Sequence, residues 1–134
     1  MIGGLQKVTL LDFPGKVACT VFLTGCNLRC PYFHNPALVL PRNNGKPVSE
    51  NELFEFLFSR KGKLDGVCIT GGEPTLRSDL VELVQAAAWF VTRLNTNGRL
   101  LTPELCAALY QASLDSVQVT LYSAEGNIHN QLVG

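Results

Sequence analysis

Four short apolar runs, three ending in a small or polar motif, with amphipathic stretches between them, constrain this 134-residue chain more than any other feature. Val17 to Leu23 leads into Gly25-Cys26, Val67 to Thr70 into Gly71-Gly72-Glu73-Pro74, and Phe90 to Leu94 into Asn95-Thr96-Asn97-Gly98; Val117 to Leu121 is the fourth. Strands rich in Val, Ile, Thr and Phe that alternate with helical patterns signal repeated β-α units and a parallel sheet. Ser49 and Glu52 form a capping box ahead of Leu53, Phe56, Leu57 and Arg60 at helical spacing, with Gly62 as a stop. Leu80, Leu83, Val84, Ala87 and Ala88 mark one face of a second helix, and Thr102-Pro103 opens a third that runs to about Gln111. The expected fold is therefore α/β with about four parallel βα units. A full barrel of eight such units takes roughly 250 residues, so part of a barrel is expected: a fragment, or a half-barrel that pairs with something, rather than a complete small domain.

The motifs after the strands are where chemistry is expected. Cys26 to Asn35, Gly71 to Pro74 and Asn95 to Gly98 all follow strand ends, on the side of a parallel sheet where ligands bind. Two thiols four residues apart, Cys26 and Cys30, can share one soft metal centre, and iron–sulfur clusters are held by thiolates. Adding His34 gives a Cys-x3-Cys-x3-His spacing that could also suit zinc. A long loop follows, broken by Pro31, Pro36, Pro41, Asn43, Asn44, Gly45 and Pro47. In Gly71-Gly72-Glu73-Pro74, the glycines let backbone come close to a ligand and expose N–H and C=O groups to it, while Glu73 offers a carboxylate to an ammonium group. Asn95-Thr96-Asn97-Gly98 suits either a turn or a pocket wall.

Composition narrows the function classes. A formal net charge of zero supplies no electrostatic case for nucleic acid. The apolar runs stop well short of the roughly 20 residues that cross a bilayer, so no membrane association is expected. Met1 to Lys7 does not read as a secretion leader, which makes the cytoplasm the expected location. Five cysteines are an odd number with one close pair, a poor disulfide framework; free thiols or metal ligands fit better. Cys19, Cys68 and Cys106 sit in apolar runs and are expected in the core, as is Trp89, while Lys16 and Arg29 read as solvated charges and His129 as an ordinary surface or core residue.

Leu5-Gln6-Lys7, Asp12-Phe13-Pro14-Gly15-Lys16, the cysteine loop and His34-Asn35-Pro36 closely resemble the opening of the activating proteins of anaerobic ribonucleoside-triphosphate reductase. More broadly they resemble the activating enzymes of pyruvate formate-lyase and other glycyl radical enzymes, within the radical S-adenosylmethionine superfamily. The resemblance implies that residues 1–134 are the N-terminal portion of a radical SAM core domain, a partial (β/α) barrel with about four of the usual six units. It implies a 4Fe-4S cluster held by a Cys-x3-Cys-x2-Cys loop, of which Cys26 and Cys30 supply two ligands. By that spacing the third thiolate belongs at Phe33, which has no donor atom. His34 is the nearest alternative donor in sequence, whereas Cys19 and Cys68 lie down their strands.

The same resemblance implies that Gly71, Gly72, Glu73 and Pro74 bind the amino end of S-adenosylmethionine, with Thr96 and Asn97 close by. Aligned from His129 and Gly134, Thr120 and Tyr122 fall where the activases carry an Asp and a cofactor-binding Lys; a Tyr carries no positive charge at neutral pH. The implied activity is reductive cleavage of S-adenosylmethionine to make a radical that abstracts hydrogen from a glycine of a partner enzyme. The implied partners are a glycyl radical enzyme and an electron donor such as flavodoxin or ferredoxin. Two alternatives remain open: a catalytically impaired module that lacks the third cluster cysteine, and a zinc-binding domain using Cys26, Cys30 and His34.

Overall fold

The computed structural model describes residues 1–40 and 46–133. Pro41, Asn43, Asn44 and Gly45 of the long loop, and Gly134, lie outside the described residues. Five strands form one sheet in sequence order: β1 (Ile2–Thr9), β2 (Ala18–Leu23), β3 (Gly66–Gly71), β4 (Val91–Thr96) and β5 (Ser116–Val119). β2 to β5 are mutually parallel, while β1 pairs antiparallel with β2. Helices α1 (Glu50–Ser59), α2 (Leu80–Ala86) and α3 (Pro103–Gln111) supply the crossovers, and α4 (Gly126–Val133) follows β5.

The α/β architecture with four parallel strands is as the sequence predicts, and two elements are additions. β1 has no clean two-residue alternation, because Gly3 and Gly4 carry no side chain to mark a face. α4 buries Val133 alone among its residues. β4 also runs on through Asn95 and Thr96, the first half of the expected turn, since Thr96 pairs in register with Val119.

The capping box forms as predicted: Ser49 Oγ accepts from the Glu52 N–H, and the Glu52 carboxylate accepts from the Ser49 N–H at 2.8 Å. Thr102 caps α3 by accepting from the Leu105 N–H. Cys19, Val21 and Leu23 of β2, Val67 and Ile69 of β3, and Leu94 of β4 meet Leu53, Leu57, Leu80, Leu83, Val84 and Leu109 from the helices. Each such fully buried aliphatic side chain contributes about 1.5–3 kcal/mol, so the helical face of the sheet holds the fold together.

The opposite face is polar. Thr20, Cys68, Arg93 and Ser116 stand in register across β2 to β5. Asp12 accepts from the hydroxyls of Thr9 at 3.0 Å and Thr20 at 2.7 Å, pinning the segment before β2 against that face, and the Arg93 guanidinium lies over the Phe13 ring. Two core expectations are corrected. Cys106 is exposed on α3, whose one buried residue is Leu109. Trp89 is 70% exposed and carries the Lys61 ammonium 3.3 Å from its ring centroid, so it stabilises a surface cation rather than filling the core.

Candidate functional site

Backbone bonds fasten the cysteine loop to the end of β3. Gly25 donates its N–H to the Leu38 carbonyl at 2.7 Å, Gly72 donates to Leu23 at 2.8 Å, and Glu73 donates to Gly25 at 2.6 Å. Gly71 has φ +116°, open to glycine and strained for other residues, and a Cβ at Gly72 would fall on the Gly25 carbonyl. The two glycines therefore bring β3 against the cysteine loop. The expectation that their N–H groups face a ligand is corrected for Gly72, whose N–H is taken by Leu23.

Within the loop, Leu28 donates its N–H to Cys26 Sγ at 3.4 Å. The Arg29 guanidinium, expected to be simply solvated, donates to the carbonyls of Cys26 at 2.7 Å and Leu28 at 2.8 Å, and its N–H bonds the Val133 carbonyl of α4. Phe33 donates its N–H to the Cys30 carbonyl at 3.1 Å, closing a tight turn over Pro31-Tyr32.

Glu73 is 2% exposed and its carboxylate is a junction. Oε1 accepts from the Thr75 N–H at 3.0 Å and from the hydroxyls of Thr75 and Thr96, each at 2.5 Å. Oε2 accepts from the Asn97 N–H at 2.7 Å. A buried carboxylate is tolerated only when hydrogen-bonded, and four donors meet that need. Glu73 thus holds the ends of β3 and β4 together, and the second lone pair of Oε2 is what it retains for a ligand. Asn97 Nδ2 extends the brace to Asn27 Oδ1 at 2.8 Å.

These loops line a partly open cleft with about 150 Å³ of space for a ligand. It is lined by Cys26, Cys30 and Phe33 from the first loop, Gly71, Gly72 and Glu73 from the second, and Thr96 and Asn97 from the third. Thr120 and Tyr122 also line it. Of the residues singled out in the sequence, Pro74 stays out of this lining; it is buried at the start of the short turn behind Glu73.

Leu28 and Asn95, from within the expected motifs, also line the cleft, as do Thr70, Val133 and His129, which were not expected there. His129 is placed by α4: its Nδ1 accepts from the Tyr122 N–H at 3.4 Å and its ring stacks on Tyr122 with centroids 6.3 Å apart. The contact forms across the turn that leads from β5 into α4. Burial pushes the Cys30 thiol up, and the neighbouring Cys26 adds to the shift. Burial likewise pushes Tyr122 up, with Cys30 the next cause. Cys19 and Cys68, buried in the sheet, are pushed to about 12 and about 11.

The donor set decides what the cleft can hold. Asn95 Oδ1 is buried without a hydrogen-bond donor, Glu73 Oε2 has a free lone pair, and Thr96, Asn97, Thr120 and Tyr122 add hydroxyl and amide groups. That set fits a small ligand bearing an amine and hydroxyls. It does not complete a three-thiolate cluster site, since Phe33 stands at the third position of the loop. Nor does it form the zinc site: His34 is exposed and outside the cleft lining, and among the described residues no group of three His, Cys, Asp or Glu converges.

Comparison with known proteins identifies the family. The family model described as the Radical SAM superfamily matches residues 20–133. A protein of Methanocaldococcus jannaschii, named provisionally as a glycyl-radical enzyme activating enzyme, is 36% identical over 103 residues, covering 73% of this chain and 40% of that protein. A PqqA peptide cyclase of Bradyrhizobium diazoefficiens is 38% identical over 134 residues, covering 96% of this chain and 34% of the cyclase. A protein of Thermococcus kodakarensis, named provisionally as a GTP 3',8-cyclase, is 35% identical over 111 residues, covering 81% and 36%. The chain therefore spans well under half the length of these relatives.

Proposed function

Since the chain belongs to the radical SAM superfamily, we propose that it is the cofactor-binding portion of a glycyl-radical-enzyme activase. Members of the superfamily use a 4Fe-4S cluster and S-adenosylmethionine. The observation that carries the reading is convergence: seven of the eight residues singled out as ligands, from three separate loops, line one cleft at the ends of parallel strands. Glu73 Oε2 and Asn95 Oδ1 would accept from the amine and hydroxyl groups of S-adenosylmethionine, and Thr96 and Asn97 would orient it. When bound, that cofactor supplies the sulfonium whose carbon–sulfur bond is broken in radical chemistry.

The finer assignment rests on the opening motifs and on the Methanocaldococcus relative, whose name refers to glycyl-radical enzyme activation. The partner would be an anaerobic ribonucleotide reductase or a pyruvate formate-lyase type enzyme, with flavodoxin or ferredoxin as electron donor, in the cytoplasm. A second reading, a module impaired in cluster binding, is favoured by Phe33. The activase assignment is tested with the Phe33→Cys protein, reconstituted anaerobically with iron and sulfide. Given S-adenosylmethionine, a reductant and a glycyl radical enzyme, it is expected to yield 5′-deoxyadenosine and a glycyl radical signal in that enzyme by electron paramagnetic resonance. Deoxyadenosine with no glycyl radical in either partner type would place the chain in another branch, beside the peptide or nucleotide cyclases.

A further inference from the structure

We propose that the side chain of residue 33 is the one feature that keeps this loop from assembling a three-thiolate iron–sulfur cluster, and that the backbone already presents that position correctly. The inference rests on the radical SAM assignment but not on the partner or reaction proposed above.

The turn is the first argument. The hydrogen bond from the Phe33 N–H to the Cys30 carbonyl, at 3.1 Å, brings the two Cα atoms within about 7 Å, and Pro31 presets the φ that such a turn requires at its second position. The second is direction: half-buried Phe33 lines the same cleft as Cys26 and Cys30. The third is that the loop is anchored independently of this side chain. Arg29 ties it to the Cys26 carbonyl and to α4, and Gly25 ties it to Leu38. Exchanging the ring for a thiol removes apolar contact yet cuts none of these bonds.

Other donors are poorly placed. Cys19 and Cys68 are buried in the sheet, and His34 is exposed and outside the cleft lining. The competitors are the Tyr122 phenol and the His129 imidazole, which share the cleft with both thiols. Assembly from two ferrous and two ferric ions with four sulfides is ligand exchange: each thiol releases its proton to solvent as its sulfur binds iron, and no electron is transferred by the protein.

The test is anaerobic reconstitution of the unmodified, Phe33→Cys, Phe33→Ala and Tyr122→Phe proteins with equal ferrous and ferric iron and sulfide. It is followed by gel filtration, iron and sulfide analysis, visible absorption and paramagnetic resonance, with circular dichroism to confirm folding. Phe33→Cys is expected to retain several-fold more iron and sulfide than the unmodified chain, in the proportions of a 4Fe-4S cluster. Phe33→Ala, which removes the ring but adds no donor, is expected to stay at the unmodified level. Folded Phe33→Cys with no gain overturns the proposal, as does Phe33→Ala matching Phe33→Cys. So does a full cluster in the unmodified chain; its loss in Tyr122→Phe would make the phenol the third donor, and its survival there would point to another. A cluster in Phe33→Cys without glycyl radical formation would instead leave this inference standing and sink the activase assignment.

Discussion

The hydroxyl of Thr96 donates to the carboxylate of Glu73 at 2.5 Å, joining the end of β4 to the end of β3 beneath the cleft. Together with the bonds from Thr75 and Asn97, this contact makes Glu73 a structural brace as well as a candidate ligand. A residue that only held ligand would leave the empty protein's stability unchanged when replaced. Glu73→Gln keeps the shape but turns one oxygen into an N–H donor, set against either the Asn97 N–H or the donors at Oε1. The expected cost is about 1–3 kcal/mol in ligand-free protein, read as a lowered urea midpoint at unchanged slope. An unchanged midpoint would mean that the brace carries no weight.

Gly72→Ala should detach the cysteine loop. Its Cβ would meet the Gly25 carbonyl, which is backbone and cannot swing aside as a side chain could. The expected loss is about 1–3 kcal/mol, as for other overpacked sites. Faster hydrogen exchange at the Glu73 amide, which bonds the Gly25 carbonyl, would locate the damage. Gly126→Ala, where nothing lies within 4 Å of the added carbon, is the matched control and should leave that exchange rate unchanged.

Acid should weaken the fold partly through Asp79. Its carboxyl accepts from Arg77 Nε at 2.8 Å and from a second guanidinium nitrogen, and this pairing holds it below the usual carboxylate range. A folded-state value below the unfolded value of about 3.9 means that the unfolded chain takes up the proton first. The contribution is therefore full above that value and is lost as pH falls through the folded one. Urea midpoints measured between pH 6 and pH 3 should fall less steeply for Asp79→Asn than for the unmodified chain; parallel curves would contradict the assignment.

Thiol reactivity should sort the five cysteines. Cys19 and Cys68, pushed to about 12 and about 11 by burial, are expected to resist iodoacetamide in the folded protein at pH 8. Exposed Cys106 should react readily. Cys30, raised by burial and by Cys26, should need a higher pH than Cys106 for the same rate. Mass spectrometry of peptides after timed alkylation reads all of these at once.

Much of this molecule was legible from spacing, and the exceptions share a cause. The capping box at Ser49, the cap at Thr102 and the strands leading to Gly25 and Gly71 are local patterns, and each forms where predicted, while the strand expected to stop at Leu94 runs on to Thr96. The cleft was legible because a parallel sheet sends every strand's C-terminal end to one side. What the sequence hid depends on how elements meet in space: Glu73 becomes a brace only when β4 brings Thr96 beside it, and His129 meets Tyr122 across the turn into α4. Trp89 and Cys106 sit in apolar stretches yet face outward, where hydropathy alone would bury them.

The central claim is that S-adenosylmethionine occupies the cleft that Cys26 and Cys30 share with Glu73. Its most direct test is alkylation of the unmodified chain across rising S-adenosylmethionine concentrations, scored cysteine by cysteine. The account predicts saturable protection of Cys26 and Cys30 with no change at Cys106, and loss of that protection in Gly72→Ala. Equal rates at all three cysteines with and without the cofactor would contradict it.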